Sequence, residues 1–500
     1  MFKNALIILA FLLITSKPGS AAPPLFHEDF AVLTDVLSLI QNDYIFVTDN
    51  WILLEGAISE IEKNRDGQKI VEQKNDKTMT IALPDGKKIT VDHEGIRNDD
   101  LILIEILADV CYALADEFPA PENIIYTAIG GIVRTLDPHS SFISPEVFKE
   151  LQAEKKGDFR GIGIVISIEE GILTVVAPIE GTPAFNQGIR AWDQILRIDN
   201  EPTDGLNLME ATKKIRGPKG TSVIISVWRD GWEAARDFTL VRDVIPLKSI
   251  RAKILEPGFG YIRVTRFLTD TSRNAVEAIL DLGKETKLKG LVLDLRNNPG
   301  GLLDQALRLS DLFLEEGTII LTKGRIKQNN NTYTAIPGYQ YDFPIVVLVN
   351  AGSASGTEVV AAAMQDNNRA LIIGNQTFGK GSIQTVYPLK DGSALRITTS
   401  EFYTPKGVEI QQMGIIPDLV LESSKQEDIE REKDLAKAIP RKQTHRENRE
   451  TIHIQLEQEK EDDVISLAVD ILKKTPSGKY EDLLATAKNM KDTIMHEAPR

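Results

Sequence analysis

Apolar residues recur at helical spacing through most of the first 145 residues. The three-to-four-residue period is typical of amphipathic helices packed on a core. The helix-like segments are 30–45, 51–64, 100–117 and 121–135. Between them, residues 78–91 form two alternating runs around Pro84-Asp85-Gly86, which is the pattern of a β-hairpin. We therefore predict a helical N-terminal domain over 25–145 with a hairpin insertion.

Strand-like runs replace the helical period from about residue 157 onward. Short alternating runs between glycine-rich turns, with one short helix at 207–217, predict a small β domain over 146–245. From 246 to 424, strands alternate with helices, which is typical of an α/β core. Together these blocks predict a multidomain α+β protein.

The chain becomes highly charged after Ser423, a composition typical of a solvated linker or an exposed helix face. Two short amphipathic segments follow, at 463–474 and 480–490. We predict a charged, helical C-terminal region over 425–500. The amphipathic segments at the two ends of the chain are candidates for forming a homo-oligomer or for binding an adaptor protein.

Residues 1–22 have the pattern of a secretory signal peptide. Lys3 precedes an apolar run, and small residues occupy 19–22. The apolar run has about ten residues, whereas a membrane-spanning helix needs roughly 20. We predict cleavage near Ala21 and Ala22 and export to the periplasm or cell envelope, with a retained membrane anchor as the alternative.

Composition narrows the classes of partner and cofactor. The formal net charge of −15 argues against nucleic acid as a partner. The single cysteine, Cys111, lies in an apolar helix-like run, so we expect a buried thiol and no disulfide within the chain. The six histidines are scattered along the chain, and we expect neither a metal ion nor another cofactor.

Residues 350–384 contain a serine and a lysine in settings that favour catalysis. Ser355 lies between the strand-like run PIVVLVN (344–350) and the helix-like run EVVAAAMQD (358–366). A strand-to-helix turn exposes its side chain and meets the N–H groups of the helix start, which favour an oxyanion. Lys380 stands between two glycines, 25 positions after the serine.

No histidine occurs between residues 140 and 444. If Ser355 is a nucleophile, the base is therefore something other than an imidazole from that part of the chain, and Lys380 is the obvious candidate. Burial would have to lower the lysine pKa from about 10.4 toward the working pH. Taken alone, such a serine is usually a helix cap, and such a lysine is usually a solvated charge.

Five motifs in this order are similar to those of the carboxyl-terminal-processing proteases, PDZ-containing Ser–Lys endopeptidases related to tail-specific protease. They are LDPHS (136–140), FRGIGI (159–164), LDLRNNPGG (293–301), SASGTE (353–358) and FGKGSIQ (378–384). Each motif alone is a weak indication, but five in order, with the family's spacing from serine to lysine, are a strong one. The resemblance covers nearly the whole chain after the signal.

The resemblance implies an exported serine endopeptidase whose α/β core is of the ClpP/crotonase-like type. It assigns Ser355 as the nucleophile and Lys380 as the general base, with Gln384 orienting the base. Asp366, eleven residues after the serine, is a candidate supporting residue, although we interpret it as a structural residue at a helix end. We also interpret His139 as a capping or packing residue.

Backbone N–H groups are expected to form an oxyanion hole next to Ser355. The residue after the nucleophile, Gly356, would contribute one N–H, and Gly300 or Gly301 in LDLRNNPGG would contribute the other. We interpret Asp294 and Arg296 as residues that hold this loop rather than contact substrate.

The β domain is identified as PDZ-like and is expected to bind peptide C-termini by adding a strand to its sheet. The loop expected to bind the terminal carboxylate comprises Phe159, Arg160, Gly161, Ile162 and Gly163. The expected partners are proteins or peptides with accessible C-termini, and an activator protein is a further candidate.

Two positions depart from the family pattern. Gly356-Thr357 stand where Ala-Ser is usual, and Ala191-Trp192-Asp193 stand where Gly-Asp is common. Glycine can replace alanine after the nucleophile, because that residue contributes only its backbone N–H. The alternative hypothesis is a non-catalytic, PDZ-type peptide-binding adaptor whose protease site decayed at Gly356-Thr357.

Overall fold

The computed structural model describes most of the chain after residue 26. The described residues are 27–118, 121–155, 160–169, 172–179, 181–190, 192–206, 208–245, 248–338, 341–423, 431–442, 451–456, 461–475 and 477–497. The predicted signal peptide and Phe159 lie outside them. The chain divides into two compact units, 150–248 and the residues that flank it on both sides.

Helices and one hairpin sheet form the N-terminal part of the larger unit. Their bounds are α1 His27–Asp43, α2 Asn50–Asn64, α3 His93–Ile96, α4 Asp100–Leu114, α5 Pro121–Arg134, β1 Val71–Lys74, β2 Thr78–Ala82 and β3 Lys88–Asp92. Aspartates cap three of these helices, since the side chains of Asp49, Asp92 and Asp99 accept N–H groups from the first turns of α2, α3 and α4. The predicted hairpin is confirmed as β2 and β3, and Cys111 is fully buried in α4.

The smaller unit is an antiparallel sheet in the order β11-β10-β8-β7-β6, with β9 beside β8 and a separate β5–β12 pair. Its elements are β5 Arg160–Gly161, β6 Ile164–Glu169, β7 Ile172–Pro178, α7 Pro183–Asn186, β8 Gln194–Ile198, β9 Glu201–Pro202, α8 Leu208–Ile215, β10 Ser222–Trp228, β11 Arg236–Val241 and β12 Asp243–Val244; α6, Pro145–Lys155, precedes them. Within the described residues β6 pairs only with β7, which leaves its other edge open.

A seven-stranded sheet forms the centre of the larger unit, in the order β13-β14-β15-β18-β19-β22-β23. The strands are β13 Ile250–Glu256, β14 Phe259–Val264, β15 Gly290–Asp294, β18 Ile345–Val349, β19 Ala370–Gly374, β22 Leu419–Ser423 and β23 Ile452–Leu456. All neighbours are parallel except β13 and β14. Residues along β15 and β18 alternate between two apolar clusters, one on each face of the sheet. Helices therefore cover both faces, as is usual for parallel sheets.

The helices on the two faces come from different parts of the chain. On one face lie α9 Thr271–Glu285, α10 Leu303–Asp311 and α11 Gly356–Asp366; on the other lie α12 Glu461–Lys474 and α13 Tyr480–Glu497. The apolar sides of the two C-terminal amphipathic segments therefore pack on this sheet, with Val464 and Leu483 buried. These sides are used within the chain, so an oligomer would need another surface.

A second, antiparallel sheet has the order β17-β16-β21-β20, with β4 beside β21. Its strands are β4 Ser141–Ile143, β16 Thr318–Gly324, β17 Asn331–Thr334, β20 Ser382–Pro388 and β21 Ala394–Tyr403. Leu395 and Ile397 of β21 pack into the core of the N-terminal helices. Strand β21 of the second sheet thus contributes side chains to the core of the helical region.

The region after Ser423 differs from its prediction in two ways. It contributes a strand, β23, to the edge of the main sheet. Residues 431–442 are not solvated throughout, since Glu432 and Ile439 are buried while Lys433, Asp434 and Lys437 are exposed. Among the described residues, no helix is both long and apolar enough to cross a membrane.

Candidate active site

Ser355 lies on the turn between β18 and α11, where the sequence predicted it. Its backbone has φ 56° and ψ −116°, a conformation that strains any residue with a side chain. Strained turns of this kind between a strand and a helix hold a nucleophile exposed at the end of a sheet. The N–H of Ser355 donates to Glu358 Oε2 at 2.8 Å.

Side-chain hydrogen bonds join this turn to the LDLRNNPGG loop, which follows the neighbouring strand β15. Ser353 Oγ donates to the Leu295 carbonyl at 2.9 Å, and Thr357 Oγ1 donates to the Asn298 carbonyl at 3.0 Å. Thr357, one of the two departures from the family motif, thus holds the two loops together. Glycine at position 356 also fits this packing. A Cβ added to Gly356 would lie 3.3 Å from the side chains of Ala306 and Phe267, which is a tight contact.

A buried ion pair holds the LDLRNNPGG loop from its other side. Arg296 donates to both carboxylate oxygens of Asp294, at 2.9 and 2.6 Å, and Tyr261 donates to the same carboxylate at 2.8 Å. Burial alone would raise the pKa of Asp294, but the hydrogen bonds and charge of Arg296 lower it overall. These contacts support the structural role that the sequence predicted for Asp294 and Arg296.

The two glycines of this loop have different neighbours. Gly300 packs against the Ser355 turn, since a Cβ added to Gly300 would come within 2.9 Å of the Gly356 nitrogen and the Ser355 Cβ. The Gly300 N–H donates to Asn298 Oδ1 at 2.9 Å, so it is engaged in this state. Gly301 pairs with Phe267 as an isolated bridge. Gly300 therefore lies beside the Ser355 turn with its N–H engaged, and the choice between Gly300 and Gly301 as the second oxyanion donor beside Gly356 remains a prediction.

Lys380 lies on the loop between β19 and β20, with its N–H donating to Glu358 Oε2 at 2.9 Å. Its side chain is half-buried. Burial lowers the pKa of Lys380 below the ordinary value, in the direction that a neutral general base needs. Glu432 is the largest opposing influence on this pKa, while the positive charge of Arg396 adds to the decrease.

Glu358 joins the serine and lysine loops, and the sequence interpretation missed it. The side chain is fully buried and accepts four hydrogen bonds, two at each oxygen. Besides Ser355 and Lys380 at Oε2, Thr377 Oγ1 and the Gly379 N–H donate to Oε1 at 2.5 and 2.7 Å. Burial raises the pKa of Glu358 to about 7, while the four donors favour its ionised form. A serine three residues before a glutamate is the capping-box pattern. This pattern in the sequence could have pointed to a contact between Glu358 and Ser355.

Gln384 lies on β20, but its amide is engaged by residues other than the lysine. Its Nε2 donates to Ser382 Oγ at 3.0 Å and to Thr398 Oγ1 at 3.2 Å. Thr398 Oγ1 in turn donates to Asp137 of the LDPHS motif at 3.2 Å. The structure thus connects Gln384 with that motif, and its role in orienting Lys380 remains a prediction.

Asp366 is the last residue of α11 and lies one helix length, about 15 Å, from the first. Its Oδ2 accepts the N–H of Lys406 at 3.1 Å. The structure therefore does not bring Asp366 to the nucleophile turn, which agrees with our interpretation of it as a structural residue at a helix end.

The predicted peptide-binding loop lies before β6 in the smaller unit. Arg160 and Gly161 form β5, and the carbonyls of Ile162 and Gly163 accept N–H groups from Ala184 and Ile179. Gly163 has φ 80°, and an added Cβ would lie 2.2 Å from the Thr182 hydroxyl, so glycine is required there.

Trp192, the second departure from the family pattern, lies on the turn immediately before β8. Its φ of 70° explains why glycine is common there, and 72% of its surface is exposed. Its N–H donates to the carbonyl of Val175 on β7 at 2.7 Å, and it belongs neither to β6 nor to the loop 160–163.

Two stretches of the chain match family models: residues 258–421 match peptidase family S41, and residues 150–228 match the PDZ domain. The carboxy-terminal-processing protease of Bartonella bacilliformis is 44% identical over 308 residues, which are 61% of this chain and 71% of that protein. The chain belongs to peptidase family S41, the carboxyl-terminal-processing proteases. Family membership confirms the resemblance, the fold class and the prediction of a serine-type peptidase with a PDZ domain.

Other relatives of this S41 peptidase have similar coverage. The carboxyl-terminal-processing protease of Synechocystis is 40% identical over 304 residues, or 59% of this chain and 71% of that protein. Among solved structures, the photosystem II D1 C-terminal processing protease is 26% identical and covers 79% of this chain and 94% of its own, with a TM-score of 0.48.

Proposed function

We propose that this S41 peptidase is an exported Ser–Lys endopeptidase that cleaves proteins selected through their C-terminal regions. The observation that carries the proposal is the shared anchor at Glu358. One carboxylate oxygen accepts the N–H of Ser355 at 2.8 Å and the N–H of Lys380 at 2.9 Å. The nucleophile and the base therefore belong to one rigid unit, and burial lowers the pKa of that base.

The reaction begins when Ser355 Oγ attacks the scissile carbonyl carbon and neutral Lys380 accepts the hydroxyl proton. The N–H groups of Gly356 and of Gly300 or Gly301 stabilise the negative charge on the carbonyl oxygen. The C–N bond then breaks, and the Lys380 ammonium returns the proton to the leaving amine. Water then attacks the ester carbonyl carbon while neutral Lys380 accepts a proton from it. The C–O bond to Ser355 breaks, Lys380 returns that proton to Ser355 Oγ, and the carboxylic acid product leaves.

A casein-cleavage assay of the purified protein tests the peptidase against a binding adaptor. We expect cleavage that continues in excess EDTA, because the proposed reaction needs no metal ion. We also expect a fluorophosphonate to add to the peptide that carries Ser355, as mass spectrometry would detect. A protein that binds peptide C-termini but leaves casein intact would support the adaptor instead.

The proposed place for the substrate C-terminus is the open edge of β6 in the smaller unit. An extended peptide can add there as a further strand. The loop 160–163 immediately precedes this edge, so its backbone N–H groups are the proposed ligands of the terminal carboxylate. The charge of Arg160 is proposed to assist.

Amidation of the substrate C-terminus tests this selection. We expect an otherwise identical amidated peptide to show a KM about tenfold higher with kcat unchanged, because one charge-assisted hydrogen bond contributes roughly 1.5 kcal/mol. Steady-state cleavage of the two matched peptides measures the difference. Equal KM values would show that the free carboxylate is not recognised.

Three further parts of the proposal concern location and assembly. Export is inferred from the signal pattern of residues 1–22. A homo-oligomer and an adaptor or activator protein remain predictions.

A further inference from the structure

The segment 431–442 reaches the loop that carries Lys380, although it lies beyond the residues that match family S41. Glu432 in this segment is fully buried. Its N–H donates to the Phe378 carbonyl at 3.3 Å, two residues before the lysine. Its carboxylate accepts from Gln411 Nε2 at 2.8 Å and lies 2.8 Å from His139 Nε2.

Gln411 carries the contact to the other side of the lysine. Its Oε1 accepts the N–H of Gly381 at 2.9 Å. Glu432 therefore holds the loop on both sides of Lys380, directly at Phe378 and through Gln411 at Gly381. Neither contact involves Glu358, so this is a second and separate support for the base.

The segment is anchored along its length by other residues. Lys442 Nζ lies 2.6 Å from Glu401 Oε2, and the Lys442 N–H donates to Glu409. The carbonyl of Ile439 accepts from Gln412 Nε2 at 3.1 Å, and Lys437 Nζ donates to the Arg134 carbonyl at 2.7 Å. With these contacts the segment holds Glu432 in a fixed position.

We propose that Glu432 is a positioning residue for Lys380, which holds the lysine loop and keeps a fixed negative charge beside it. The inference rests on the proposed Ser–Lys function. A base of this kind must accept a proton from Ser355 and then return it to the leaving amine, so both of its protonation states must be accessible. A nearby carboxylate stabilises the protonated state and opposes the effect of burial.

Several charged groups act on Lys380 from the elements around it. Glu432, Asp137 and Glu358 raise the lysine pKa, while Arg396 lowers it. His139 lies on the far side of the Glu432 carboxylate. Glu432 is the largest of the three acidic influences, so removing its charge should have a distinct and directional effect.

Glu432→Gln tests the proposal through the pH dependence of kcat. The amide keeps the size and hydrogen-bonding capacity of the side chain but removes its charge, so the pKa of Lys380 falls. We expect the limb on which kcat rises with pH to move to lower pH by about one unit. Glu316→Gln is the matched control, since it makes the same change at an exposed glutamate outside the segment 431–442 and should leave the limb in place.

Glu432→Asp provides a second measurement that does not depend on the folding of the first variant. It keeps the charge but withdraws it from the lysine loop, so we expect a smaller shift in the same direction and a lower kcat. An unmoved limb in folded Glu432→Gln, an equal shift in Glu316→Gln, or an unchanged Glu432→Asp would overturn the proposal. These outcomes concern Glu432 alone, whereas full activity in Ser355→Ala would refute the Ser–Lys function itself.

Discussion

Ser355→Ala and Lys380→Ala are each expected to reduce the cleavage of an unstructured protein by at least about 10⁴-fold. The first variant lacks the oxygen that forms the acyl-enzyme, and the second lacks the group that accepts its proton. Lys380→Arg should be equally inactive, because a guanidinium stays protonated at any working pH. Initial rates of casein cleavage measure all three.

The controls separate lost chemistry from lost structure. Lys390→Ala removes a lysine whose side chain is 85% exposed at the end of β20, and its activity should match that of the unmodified protein. Thermal unfolding of Ser355→Ala should change little, since a helix cap contributes only about 1 kcal/mol. Full activity in a folded Ser355→Ala or Lys380→Ala variant would end the Ser–Lys assignment.

Glu358→Gln is expected to reduce kcat by about 10²-fold while the protein remains folded. The carboxylate accepts two hydrogen bonds at each oxygen, whereas an amide offers one oxygen and one NH₂ group. One orientation sets the NH₂ group against the Ser355 and Lys380 N–H groups, and the other sets it against the Gly379 N–H and forces the Thr377 hydroxyl to turn. Unmaking such buried hydrogen bonds costs about 1–3 kcal/mol each, which loosens the nucleophile and base loops together.

Kinetics of a matched pair check this expectation. Glu422→Gln changes an exposed glutamate of β22 and should leave kcat and KM unaltered. In Glu358→Gln we expect kcat to fall while peptide binding, measured by fluorescence anisotropy, stays within about twofold. Unchanged kcat in this variant would mean that the shared carboxylate does not hold the two loops in their reactive geometry.

Glu358 also makes stability depend on pH. Its folded pKa of about 7 exceeds the ordinary value of 4.5, so its contribution to stability is fully present below about pH 4.5 and is lost as the pH rises through about 7. A shift of this size corresponds to about 3 kcal/mol. Glu358→Gln should lack this loss, and urea unfolding at pH 5 and pH 8 would detect the difference between the two proteins.

Much of the active site could be predicted from short stretches of sequence. Ser355 was placed on its turn because an apolar strand and a helical run flank it within a few residues. The Pro84–Gly86 turn and strand β19 were predictable for the same reason, since turn chemistry and hydrophobic period are local properties. The role of Glu358 was also within reach, because the glutamate follows the serine by three residues.

The remaining features depend on residues that are far apart in the chain. The charged composition of 431–442 predicted solvation, but His139 and Glu432, separated by 293 positions, meet in the core. The hydrogen bond from the Gly300 N–H to Asn298 Oδ1 could not be predicted either, because it depends on the orientation of the Asn298 side chain. The sequence by itself determined the family and the order of the elements, and it predicted the catalytic serine and lysine. Only the tertiary structure decided which buried carboxylates surround them, because burial and charge depend on contacts that no local pattern encodes.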